Sequence, residues 1–100
     1  ANWYTVGTDS KGVTWSIDND SVKKDDKKAV MDIKAMDYEG YHYIVTEEFN
    51  HKKREVKDLK VTLYNPQGYV VKEEQVNKNS RKVEPGTPAY AVFQLIWGGK

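Results

Sequence analysis

The chain contains no cysteine. Without a thiol there is no disulfide frame, no thiolate nucleophile and no cysteine-ligated metal, an absence that suits the cytosol and many exported bacterial proteins alike. Histidine is nearly missing too: His42 and His51 stand nine positions apart with no third ligand spaced to help them, which argues against a metal centre. Charge of one sign is also lacking. Sixteen Lys and Arg against 15 Asp and Glu leave a formal net charge of +1, so no summed basic field points to nucleic acid or an anionic membrane. No apolar run approaches the roughly 18 residues of a membrane span, and no basic segment followed by an apolar one opens the chain. There is no glycine-rich phosphate loop and no nucleophile motif, and the carboxylates sit mostly beside lysines. The adjacent pair Glu47 and Glu48 points to opposite faces of a strand, so a general acid and a general base cannot both come from it. These absences describe a non-enzyme that needs no cofactor.

What is present starts at the C-terminal end. One hundred residues, 38% of them hydrophobic, make one domain with a single modest core. In Pro85-Gly86-Thr87-Pro88, the Thr87 hydroxyl can accept from an orphan N–H of a following helix, and Pro88 at its first position loses no hydrogen bond. Ala89, Val92, Phe93 and Ile96 then recur with a 3.6-residue period, and Gly98, followed by Gly99, can take the left-handed conformation that ends the helix. The helix is expected over about 88–97. The segment carries no charge, and Tyr90, Gln94 and Leu95 fall off the main stripe. Such a helix is either deeply cradled by a curved sheet or shared with a second subunit in a homodimer.

Everything upstream reads as short strands, expected over about 2–7, 13–18, 29–36, 41–49, 55–64 and 69–76. Val13, Trp15 and Ile17 share one face, which makes Trp15 core and sends Thr14, Ser16 and Asp18 outward. Met31 and Ile33 alternate with Asp32 and Lys34. In 41–49 Tyr41, Tyr43 and Val45 compete with His42 and Ile44 for the inward face, which calls for a bulge or two-sided burial. Leu59, Val61 and Leu63 alternate with Lys60, Thr62 and Tyr64. Asp18 to Lys28 reads as a polar connection anchored only by Val22, and Asn77 to Glu84 as a loop. Short turns between consecutive strands give an α+β fold, a six-stranded antiparallel meander with one C-terminal helix packed on one face.

Four pieces then form a pattern: Trp15-x-Ile17-Asp18-x-Asp20-Ser21-Val22, the charged stretch Lys52-Lys53-Arg54, Leu63-Tyr64-Asn65-x-x-Gly68-x-Val70-Val71, and Val83-x-Pro85-Gly86-Thr87 leading into the helix. Together they resemble the bacterial surface-adhesin protein E family, small exported domains with a six-stranded antiparallel sheet and a C-terminal helix. The resemblance covers nearly the whole chain. It implies a secreted or envelope location, removal of a signal peptide, and binding of a host matrix protein or glycan. Members often carry cysteine, and this chain has none.

Two surfaces are candidates for binding. Lys52, Lys53 and Arg54 with Lys57 and Lys60 gather cationic donors around one hairpin, offset by Glu55 and Asp58, and can meet phosphate, a sulfated glycan or an acidic protein face. Tyr38, Tyr41 and Tyr43 are the second, because aromatics are enriched at interfaces. A calcium reading of Asp18-Asn19-Asp20 with Asp25-Asp26 fails on spacing, with Val22 at the fifth position and Ala29 where a bidentate Glu belongs; capping by Asp20 or Ser21 explains the acids instead. The function expected is a non-catalytic binding domain acting through an exposed sheet or hairpin surface. The alternative is a small-molecule or regulatory domain with a pocket between helix and sheet.

Overall fold

The computed structural model describes residues 1–76 and 79–98. Eight strands run in chain order, β1 Trp3–Thr8, β2 Thr14–Asp18, β3 Lys23–Lys24, β4 Lys28–Met36, β5 His42–Asn50, β6 Glu55–Tyr64, β7 Val70–Gln75 and β8 Arg81–Lys82, before the helix α1, Pro88–Trp97. They form one antiparallel sheet in the order β1-β2-β4-β5-β6-β7, so the expected meander and the α+β class are there, with eight strands in place of six.

The two additional strands have a common cause. β4 outruns β2, which pairs only with Ile33–Met36, so its first residues are free to pair with β3 at Val30 and Ala29. β6 outruns β7 in the same way, and Glu55 and Val56 pair with β8. Unpaired backbone groups on a half-buried strand are costly, and any nearby extended segment that covers them is held there. The connection expected over Asp18–Lys28 therefore contains a strand and a single 3-10 turn, Asn19–Ser21, while that expected over Asn77–Glu84 contains β8; Asn77, Lys78 and Gly99 lie outside the described residues.

Alternation decides the core. Ala29, Met31 and Ile33 of β4, Ile17 of β2, Phe49 of β5 and Val56 of β6 point to the face that α1 covers with Val92, Phe93 and Ile96. Two expectations change here. Trp15 is only half-buried, packing against the core while lining a cavity, and Ser16 and Asp18 are buried although they lie on the other face. Asp18 is occupied by local structure: its Oδ1 accepts from the N–H groups of Asn2 (2.8 Å) and Asp20 (3.1 Å). Ser21 donates to the Asp18 carbonyl and accepts from Asp32 N–H, which ties the 3-10 turn to β4.

The helix begins and ends as its residues require. Thr87 Oγ1 accepts from Tyr90 N–H at 3.2 Å, Pro88 opens the first turn, and Gly98 at φ 67° directs its N–H to the Gln94 carbonyl. Its far end is fastened at three points. Lys24 Nζ donates to the Ile96 carbonyl at 2.8 Å, a cation on the negative end of the helix dipole. Trp97 Nε1 donates to the Asp25 carbonyl, and the Trp97 ring stacks on His51 at 4.3 Å. Of its ten residues only Leu95 is exposed, so the sheet and turns cradle the uncharged helix.

Candidate functional site

The turn after β5, residues 51–54, is built by three constraints. Lys53 N–H donates to Asn50 Oδ1. His51 N–H reaches the Lys27 carbonyl at 2.9 Å. Arg54 sits at φ 53°, a left-handed conformation that costs a side-chain-bearing residue on the order of 1–2 kcal/mol. Its surroundings hold it there: its carbonyl accepts from Val83 N–H at 2.9 Å, and its guanidinium lies 5.0 Å from the centre of the fully buried Phe93 ring. The turn is thus pinned to α1 and presents Lys52 and Lys53 outward.

Folding adds to that turn cations that are remote in sequence. Lys28 pairs with Asn50 across β4 and β5, Lys23 and Lys24 lie on the neighbouring β3, and Lys82 Nζ donates to the Lys53 carbonyl at 3.0 Å. Lys23, Lys24, Lys27, Lys28, Lys52, Lys53, Arg54 and Lys82 are all exposed at this end, with Asp25, Asp26, Glu55 and Glu84 as the nearby acids. Eight against four is a local excess of four, and a chain of net charge +1 must then carry three excess acids elsewhere. Asp25 is further engaged by the N–H groups of Lys28 and Lys27, which hold its carboxyl below the usual carboxylate range.

Two of the five expected cationic residues are elsewhere. Lys57 lies 3.7 Å from Glu48 and Lys60 3.4 Å from Glu73, both on the sheet face away from α1. The tyrosines stand at the opposite end of β5 from the basic turn, about 26 Å away at 3.3 Å per residue. There Tyr38, Tyr41 and Tyr43 are exposed and joined by Tyr69 from the next hairpin, which touches the first closely enough that a Cβ on Gly40 would lie 3.2 Å from Pro66. The two candidate surfaces are separate sites.

A third feature lies between them. A cavity of about 380 Å³ opens between the first turn of α1 and the sheet, walled by Trp15, Ile33, Val45, Ala89 and Val92. Its floor is polar: Arg81 donates to Glu47 Oε2 at 2.9 Å and to Asp58 Oδ1 at 3.2 Å. Glu47 is only 7% exposed. Burial pushes its carboxyl up to about 8, the hydrogen bond and charge of Asp58 push the same way, and Arg81 pulls against both. The sequence signal for this acid was its place between Val45 and Phe49 in the inward alternation of β5. Asp58, read above as an offset to the basic patch, reaches the cavity because a register shift leaves Leu59 unpaired between Asp58 and Lys60, so Asp58 and Val61 face the same side. That shift is the irregularity expected near 41–49, placed on the partner strand.

Among the described residues no helix is long and apolar enough to cross a membrane, and no cluster of three or more His, Cys, Asp or Glu forms a metal site. No curated protein and no solved structure matches the chain. The family model for surface-adhesin protein E matches residues 3–96, from the first strand into the last turn of α1, and the chain belongs to the surface-adhesin protein E family.

Proposed function

We propose that this chain is an exported, non-catalytic binding domain whose cationic end meets an anionic macromolecule, a sulfated glycan being the chemistry that suits it best. Family membership supports an adhesin-like protein acting at or beyond the cell surface. The observation that carries the finer reading is the gathering of Lys23, Lys24, Lys27 and Lys28 beside Lys52, Lys53 and Arg54 by the pairing of β3, β4 and β5. Clustered cations on one end raise the local concentration of a polyanion and steer its approach, and a chain of repeated sulfates can neutralise several at once. The tyrosine end serves a protein partner better, because exposed rings supply contact area with little rotamer entropy to lose.

Retention on an immobilised sulfated polysaccharide tests the reading. The protein should bind at low ionic strength and elute as salt shortens the Debye length to about 8 Å and below. Flow-through at low salt, or retention that ignores salt, would sink it.

A further inference from the structure

The cavity beside α1 holds more acid than cation. Arg81 spends one end of its guanidinium on Glu47 and the other on Asp58. Glu47 and Asp58 therefore share a single guanidinium, two acids to one cation. Glu84 adds a carboxylate at the rim. Lys82 lines the cavity as well, but its ammonium donates to the Lys53 carbonyl and lies 3.6 Å from Glu55. Two carboxylates on one guanidinium, with a third at the rim, leave the cavity short of a cation.

We propose that this cavity binds a small organic cation with an apolar body, of the size and kind of an arylalkylamine, whose ammonium group meets Glu47 and Asp58 while its ring packs against Trp15, Val45 and Val92. The volume suits such a ligand, since pockets for small molecules begin at about 300 Å³. The walls are apolar and the polar groups converge on one point, an arrangement that orients a ligand with one charged end. Trp15 adds an aromatic face on which the ring of the ligand can pack. An anion would meet Glu47, Asp58 and Glu84 together, with Arg81 already engaged. Nor does the N-terminus of α1 reverse this preference, because Thr87 already caps Tyr90 N–H.

Binding then carries a proton signature. Glu47 is faced by Asp58 from β6, Arg81 from β8 and Glu84 ahead of α1, while β4 presents Met31 and α1 presents Ala89 and Val92. With Glu47 titrating at about 8, its proton is present at neutral pH and leaves when the ammonium enters. Affinity should therefore rise about tenfold per pH unit below that value.

Calorimetric titration with benzylamine, in buffers of different ionisation enthalpy, reads both quantities. The expected result is one site, release of about one proton, and affinity rising close to tenfold from about pH 6 to pH 7. Benzyl alcohol and benzoate should bind at least about tenfold more weakly than the amine. Glu47→Gln should abolish binding by removing the charge while keeping the shape, and Ala89→Phe should abolish it by filling the cavity and leaving the acids alone; thermal melts identify folded variants, so either one suffices. No heat of binding at millimolar benzylamine, benzoate binding as tightly as the amine, or amine binding that survives both variants would overturn the proposal.

Discussion

Replacing Glu47 by glutamine should make the protein more stable at alkaline pH, an unusual direction for a change made at a buried ion pair. In the parent, the carboxyl moves from an ordinary value of 4.5 to about 8 on folding. Between those limits the folded state holds a proton that the unfolded state has lost, so stability is greatest at the acid side and falls as pH rises through this window. About 3.5 units at 1.36 kcal/mol each set a ceiling of roughly 5 kcal/mol, and water entering from the open side of the cavity reduces it. Glutamine matches the protonated acid in shape: its oxygen can accept from Arg81 and its amide can donate to Asp58. The variant should sit within about 1 kcal/mol of the parent at pH 5 and exceed it by about 2 to 4 kcal/mol at pH 9. Urea unfolding at pH 5, 7 and 9 measures the difference, and taking it between two proteins cancels the titrations of groups remote from Glu47. Parallel stability profiles would refute the reasoning, because Glu47 would then carry the same charge folded and unfolded.

Phe93→Ala should cost about 3 to 5 kcal/mol in the same assay, since a fully buried ring that touches His51, Trp97 and Arg54 is removed; a loss below about 1 kcal/mol would mean that the helix register is wrong. Gly98→Ala places a Cβ on a left-handed residue with open space around it, so the loss should be conformational alone, about 1 kcal/mol in chemical unfolding. Lys24→Met keeps the stem but removes the ammonium from the Ile96 carbonyl, and amide exchange in the last turn of α1 should speed up while the rest of the helix is unchanged.

The residues told where the helix lies because all its signals are local: a hydroxyl cap, a proline, a 3.6-residue stripe and a glycine fall within Thr87–Gly98. The six long strands were legible for the same reason, through alternation and turn chemistry. Lys23–Lys24 and Arg81–Lys82 show no alternation; they are strands only because β4 and β6 leave edges to be covered. The basic end was half legible. Lys52-Lys53-Arg54 reads as a patch by itself, whereas the lysines of β3 and β4 join it only through sheet pairing. The cavity was least legible, since Glu47 meets Asp58 across a bulged pairing and Arg81 from a distant two-residue strand.

The proposed function rests on the cations of the 51–54 turn, and the most direct test is charge reversal there that spares Arg54, whose guanidinium lies over Phe93. Lys52→Glu with Lys53→Glu should abolish retention on the sulfated polysaccharide while shifting unfolding stability by no more than about 0.5 kcal/mol, as exposed positions usually do. Replacing Tyr38, Tyr41 and Tyr43 by serine, at the other end of the sheet, should leave that retention intact. Undiminished binding by the doubly reversed protein, or its loss in the tyrosine variant alone, would contradict the assignment and move the binding surface to the aromatic end.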